Sequence, residues 1–514
     1  MAKVYDNATD IITFARGSSG TALRRVGYGE NLVTNDDFSL GDNGDWNTAT
    51  GWTISGGVAT LDGSQVSTSD LSQVLTLKAN TIYQISLDVT NVTTALDLVT
   101  ITNTGGPELQ DLSGTGTYTA VFVAPSTSEQ LIIRGTSSSV ATIDNISVKE
   151  VFFDRPTDDL VLFNHPDDIP RIEYGSDGSL KGLLIEEQRT NYLLQSENLL
   201  DAAWGGDATV TDNGDGSFNV AFADAVVQDI RQTNAGATGS VNTASVEVKK
   251  DNVSDFDIYV DGGAPEGRIR YNFDTDTFSL VGSIITDYGS VDLGGGWVRV
   301  WVTADGTGSG NFRLASSGLA SGEERIHVRR PQHEEGSFAT SYIPTSGSQS
   351  TRSADVASIP VSAFGHNPDA GTIVVEFDYQ FADGESGFPR PFEYGNSGTQ
   401  VNRIAVYTAE SSGNLSYNVL SNNVGSSRVL SSGTVSPVSG VAALAFRDGD
   451  IAGCLDGGSV VTSSDSVSSP SSPRDILKIG GQGSNTSSNI SGHIKSIQYY
   501  PRRLTDAQLQ ELTS

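Results

Sequence analysis

"GGGWVRVWVTAD", residues 294 to 305, decides the fold. Val298, Val300 and Val302 fall at every second position, and Trp297, Arg299 and Trp301 fill the places between. A period of two places successive side chains on opposite faces, which is a half-buried β-strand. Trp297 and Trp301 share one face and are expected to serve a core or an interface. Moving outward, the same alternation returns in Tyr83, Ile85, Leu87 and Val89, in Ala244, Val246 and Val248, in Phe256, Ile258 and Val260, and in Val375, Phe377, Tyr379 and Phe381. "RIRYNFDTDTFSL" (268 to 280) reads as a hairpin with an Asp/Thr turn. The one convincing helix is the last, "LTDAQLQELTS", where Thr505 and Gln508 form a capping box and Leu504 and Leu509 occupy the two staple positions.

The expected class is therefore all-β, as serial antiparallel β-sandwiches with very little helix. The pattern divides the 514 residues into a lead (1 to 30), a first β domain (31 to 151), a junction segment (152 to 204), a central sandwich (205 to 355) and a last sandwich (356 to 514). The junction contains "GLLIEEQRTNYLLQSENLLDAAW" (182 to 204), which is neither a clean helix nor a clean strand and reads as a residue-dense linker. Its leucines, amides and arginine suit a hydrogen-bonded joint, with Arg189 forking onto a carboxylate such as Glu186 and Asn191 capping backbone groups.

Charge narrows the partners. The chain has 31 Lys and Arg against 62 Asp and Glu, a formal net charge of −31. A nucleic-acid binder needs clustered cations to displace counterions from phosphate, so neither nucleic acid nor an anionic membrane is an expected partner. Cys454 is the single cysteine, which excludes an internal disulfide framework. No run of signal-peptide or membrane-span character is visible, so synthesis in a cytoplasm without a signal peptide is expected.

Three pieces of sequence resemble surface fibre and spike proteins of tailed bacteriophages and gene-transfer particles. They are "PRIEYGSDGSLKGLLIEEQRTNYLLQSENLLDAAW" (170 to 204), "ITFARGSS" within residues 11 to 19, and "EEGSFATSYIPTSGSQSTRSAD" (334 to 355). The resemblance spans roughly residues 11 to 29 and 152 to 355. It departs from the family pattern in the 120-residue insertion between lead and junction. That insertion resembles jelly-roll carbohydrate-binding modules, through "NLVTNDDFS" and "IDNISV". The last domain, through "HIKSIQYYPRRLTDAQLQEL", resembles laminin-G/concanavalin-like lectin sandwiches.

The resemblance implies a virion-surface structural protein that attaches to bacterial surface polysaccharide, alongside other virion proteins of tail or capsid, as a homo-oligomer with a trimer favoured. The lead would tether the chain to the particle. The alternatives are a capsule- or lipopolysaccharide-degrading spike enzyme and a decoration protein without ligand. No catalytic framework supports the enzyme: the five histidines (165, 327, 333, 366, 493) lack metal-ligand spacing, and no nucleophile elbow sits beside a plausible triad.

Sugar contact needs flat apolar faces with amides and acids around them. Trp46 and Trp52, in a loop-rich opening with Asn43 and Asp45, are the candidates in the first domain. No cofactor is required. Calcium is the one ion the jelly-roll resemblance suggests, with Asp37 and Asp144 as candidate ligands.

Overall fold

In the computed structural model the alternating segments form paired strands, and the alternation sorts side chains between core and surface. The structure describes residues 12–514 except 94–95, 102–107, 113, 224–227, 234–240, 262–266, 307–310, 317–323, 382–387, 398–401, 410–413, 423, 432–437, 468–472 and 482–488. The architecture is all-β, with antiparallel sheets packed in pairs. Contacts divide the chain into two units, residues 24–166 and residues 1–23 with 167–514.

The unit of residues 24–166 is a two-sheet sandwich. One sheet runs Gly116–Val123, Ile82–Val92, Val140–Phe153, Gly20–Asn31, Asp159–His165, with the Trp52–Ser55/Val58–Asp62 hairpin added through Val140–Phe153. The facing sheet runs Asn47–Thr48, Ser69–Thr76, Ser128–Gly135, Leu96–Ile101, Glu108–Leu112. Tyr83, Ile85, Leu87 and Val89 point inward against Leu71, Leu131 and Ile133. The unit is longer at both ends than residues 31 to 151, because Gly20–Asn31 and Asp159–His165 pair into its sheet.

The second unit holds two sandwiches with separate cores. In the central one, a sheet ordered Gly205–Gly206, Asp229–Gln232, Phe312–Ser316, Asp255–Asp261, Gly267–Asn272, Thr277–Leu280 faces another ordered Thr209–Asp212, Phe218–Phe222, Glu324–Glu335, Val241–Lys250, Trp297–Asp305, Ile285–Gly294. The hairpin read at 268 to 280 forms with Tyr271 opposite Phe278. In the last sandwich the sheet Val356–Pro360, Ile476–Ile479, Phe392–Gly395, Arg403–Thr408, Leu415–Ser421, Val424–Ser431 is extended at its edge by Thr13–Ala15. Residues 13–15 of the lead are thus part of this sheet, and Phe14 is buried in its core. The C-terminal helix Asp506–Thr513 carries the expected capping box, and Leu504 and Leu509 are buried with Val374, Ala443, Ala445 and Ala452 of this sandwich. Cys454 is buried there too and accepts from the Thr513 hydroxyl at 3.3 Å.

The junction segment is not a separate linker. Arg171–Tyr174 and Leu180–Ile185 are strands of the last sandwich, with Leu183 opposite Ile494, and Arg189–Asn191 pairs with Ser350–Arg352. The glycine of the Gly-Leu-Leu-Ile run has a packing reason. Gly182 (φ +121°) lies so close to the neighbouring strand that a Cβ would sit 2.6 Å from the Ile494 carbonyl oxygen.

The polar residues of the junction form a buried ion cluster. Arg171 Nη1 donates to Glu186 Oε2 at 2.7 Å, and its other amino group donates to Asp355. Arg16 Nη1 pairs with Asp355 Oδ1 at 3.2 Å, and Arg352 Nη1 with Glu186 Oε2 at 3.2 Å. The Ser341 N–H and hydroxyl both donate to Glu186, at 2.7 and 2.6 Å. Burial alone would push the Glu186 carboxyl up, but Arg352, Arg171 and Ser341 overcome it and hold the group well below the carboxylate range. Arg189 does not fork onto Glu186 as expected, because Arg171 and Arg352 already occupy that carboxylate. It reaches Glu187 and the Glu335 carbonyl instead. Asn191 does cap backbone: it donates to the Ile343 carbonyl at 2.8 Å and accepts from the His333 and Leu193 N–H groups.

Candidate functional site

The sequence candidates in the first unit fall into its interior or into local turns. Trp46 is 3% and Trp52 5% exposed, both inside the core. Their indole N–H groups donate to the carbonyls of Asn35 and Ser69, each at 3.2 Å, and Trp46 packs on Phe38. Neither offers a ring face to a sugar; a loop-rich opening rich in Asn and Asp here closes over its tryptophans. Asn43 and Asp45 are exposed, but they serve each other: Asn43 Nδ2 donates to Asp45 Oδ2 at 2.6 Å, and the Asp45 N–H returns to Asn43 Oδ1 at 3.1 Å.

Asp37 Oδ1 accepts from the Ser39 N–H and hydroxyl, at 3.0 and 2.7 Å. Those bonds lower its pKa, the ordinary signature of a turn-stabilising aspartate. Asp144 Oδ1 accepts from the Asn145 N–H at 2.8 Å. Among the described residues no group of three His, Cys, Asp or Glu converges on one point.

The tryptophans that reach the surface lie elsewhere. On the strand Trp297–Asp305, Val300 and Val302 are in the core of the central sandwich. Trp297, Arg299 and Trp301 therefore stand on the outer face of the sheet, each half-buried. Their cross-strand neighbours are Lys249, Glu247 and Ser245 on one side and Gly294, Val291 and Gly289 on the other.

Each indole is held in place. Trp301 lies against Gly289, where a Cβ would sit 2.3 Å from Cζ2, so only glycine admits the ring flat on the edge strand. Its Nε1–H donates to Asp287 Oδ2 at 3.1 Å. The Arg329 guanidinium stacks over Trp297, with its central carbon 3.9 Å from the ring centroid.

Next to the tryptophans, Glu324–Glu335 carries a bulge. Ser245 pairs with Gln332 and Glu247 with Arg329, so Arg330 and Pro331 together oppose Val246 alone. Arg330 sits at φ +51°, a left-handed conformation costly for a bulky side chain. The bulge brings two consecutive arginines to one carboxylate: Glu247 Oε2 accepts from Arg329 Nε at 2.5 Å and from Arg330 Nη1 at 2.9 Å. Burial draws the Arg329 guanidinium below its ordinary value against the pull of Glu247, and the Arg330 charge lowers it further.

Arg299 is held only by neutral oxygens. Its Nη2 donates to Ser245 Oγ at 2.9 Å and to the Thr340 carbonyl at 2.6 Å, and it forms no ion pair among the described residues. Lys249 likewise forms none. The acids at the margin are committed, Asp287 to the Trp301 indole and Asp215 to Ser217. The face thus combines an indole backed by glycine, fixed hydrogen-bond donors and surplus positive charge on a strongly acidic chain.

No family model and no curated protein sequence matches the chain. Among solved structures, the CBM40 of Ruminococcus gnavus IT-sialidase is 17% identical, covering 29% of this chain and 84% of that one, with a TM-score of 0.24. The tandem CBM22-1-CBM22-2 of Paenibacillus barcinonensis Xyn10C is 10% identical over 60% of this chain and 98% of that one, at 0.19. Domains LG4-5 of the mouse laminin alpha1 chain are 8% identical over 62% and 90%, at 0.19. Likeness at this level carries no assignment of ligand or residue role.

Trp297 and Trp301, expected to serve a core or an interface, lie half-buried on the outer face of the central sandwich rather than in its core. The signal was present in the same stretch. An arginine flanked by two tryptophans, opposite an unbroken row of valines, marks the aromatic row as the face away from the core.

Proposed function

We propose that this protein is a non-catalytic glycan-binding fibre or spike on the surface of a tailed phage or related particle. In this reading the outer face around Trp297, Arg299 and Trp301 touches the bacterial polysaccharide. One observation carries it: a tryptophan clamped flat on Gly289, half-open to solvent and ringed by fixed polar donors, is what a pyranose needs for stacking and hydroxyl recognition. The likeness of residues 170 to 204 and 334 to 355 to fibre and spike segments supports the particle. Several copies, three in the favoured arrangement, turn a weak single contact into firm attachment.

The test uses purified full-length protein on a glycan array and in a particle adsorption assay. Retention on surface polysaccharide, loss of retention in Trp301→Ala, and inhibition of adsorption by excess free protein are expected. Release of new reducing ends from the polysaccharide would make it a depolymerase. Failure to bind any host glycan or to compete with the particle would leave a decoration protein.

A further inference from the structure

We infer that the ligand of this face is a carboxylated glycan, one that presents a sugar carboxylate to Arg299 beside the Trp301 ring. The inference rests on the glycan-binding reading above and deepens it by naming the chemical class. It starts from a charge imbalance. The other half-buried cation pair of this face, Arg329 and Arg330, converges on Glu247, whereas Arg299 between the two indoles meets no carboxylate. Taking a guanidinium partly out of water without an anion forfeits the charge-assisted bonds that normally compensate its desolvation. An arriving carboxylate would supply them.

The geometry favours capture over a purely structural role. Ser245 Oγ and the Thr340 carbonyl both accept from the same amino group, Nη2, of Arg299. Those two bonds fix the plane of the guanidinium, and its Nη1 and Nε edges make no hydrogen bond among the described residues. Both two-donor edges of the guanidinium include Nη2, so the Nε–H and Nη1 hydrogens offer separate single bonds, each aimed and able to take one carboxylate oxygen. Lys249 stands beside Trp297 on the adjacent strand, its side chain running along Gly296, and adds a second unpaired charge. Glu247 acts as a positioning residue: buried under Arg329 and Arg330, it holds both arginines on the sheet face and keeps Arg329 stacked on Trp297.

Such a face also resolves an electrostatic problem. A chain of net charge −31 repels an acidic polysaccharide at long range. Contact with one requires a locally cationic patch, and Arg299, Lys249, Arg329 and Arg330 gather on this face.

The experiment compares full-length protein, immobilised, against four probes: polygalacturonate, the same polymer with its carboxyls methyl-esterified, polysialic acid, and neutral dextran. Binding to at least one free-acid polymer about tenfold or more tighter than to the esterified or neutral polymer is expected, the scale of one charge-assisted pair. Preference for polygalacturonate or for polysialic acid identifies the sugar class that supplies the carboxylate. Arg299→Gln should abolish the difference between free acid and ester, and Arg299→Lys should retain part of it, both with an unchanged melting temperature. Equal binding of ester and free acid by the unmodified protein overturns the carboxylate assignment while leaving glycan binding in place. Binding to none of the four, nor to host polysaccharide, overturns the glycan-binding face itself.

Discussion

Trp46→Ala and Trp301→Ala separate interior from surface. Trp46 is a buried core indole packed on Phe38, so its truncation should cost about 3–5 kcal/mol, read as a lowered urea midpoint for the unit of residues 24–166. Sugar retention at the central face should be untouched. Trp301→Ala should do the reverse, with roughly 1 kcal/mol of stability lost and binding removed. Equal destabilisation by both would place Trp301 in the core. The sequence separates them by pattern: Trp46 sits among Asp, Asn and Gly, whereas Trp301 alternates with Val300 and Val302 on a strand. His333 gives a further residue-scale expectation. Its ring is fully buried with neither nitrogen hydrogen-bonded, and burial lowers its pKa from 6.5 to about 4. The unfolded chain therefore binds the proton first as pH falls. Stability is intact above pH 6.5 and drains away between 6.5 and about 4, by about 3 kcal/mol for a shift of this size. His333→Leu should remove that loss, measured as the difference in urea midpoint between pH 7 and pH 4.5; an undiminished difference would mean that other groups cause it.

At the scale of elements, local signals were legible and distant partners were not. The capping box at Thr505 and Gln508 and the hairpin at 268 to 280 are short-range and were readable in the sequence. The junction around Glu186 could be recognised as a hydrogen-bonded joint. Its wiring could not, because Arg16, Arg171, Arg352 and Asp355 come together from positions up to 339 residues apart. The strand Leu180–Ile185 pairs on one side with the nearby Arg171–Tyr174 and on the other with Ser491–Tyr500, near the other end of the chain, and only the second pairing lies beyond a local reading. The cluster predicts a sharp asymmetry. Glu186→Gln leaves Arg171 and Arg352 facing each other with one carboxylate, Asp355, to share between them and Arg16. Removing one partner from a buried ion cluster costs about 3–5 kcal/mol, so a large fall in denaturation midpoint is expected. Arg171→Met combined with Glu186→Leu, which removes opposite charges together, should cost less than the two single changes added. Additive losses would show that the groups do not act as a cluster.

For the whole molecule, the net charge and the cationic face act over different distances, and salt can separate them. At about 0.01 M ionic strength the Debye length is about 30 Å, so an approaching acidic glycan feels the entire −31 chain and is repelled. Near 0.15 M the screening length falls to about 8 Å, and the glycan close to the surface feels mainly Arg299, Lys249, Arg329 and Arg330. Raising salt over this range should therefore speed association with a polyuronate such as polygalacturonate. Toward about 1 M, where the length is about 3 Å, the guanidinium–carboxylate contacts themselves are screened and dissociation should quicken. Affinity should pass through a maximum at intermediate salt, resolved by interferometry into its two rates. Arg299→Gln should flatten the high-salt decline and leave the low-salt rise in place, because the rise belongs to the charge of the whole chain. A steady fall in affinity from the lowest salt upward would mean that the acidic surface exerts no long-range repulsion at this face, and the division between global and local charge would not hold.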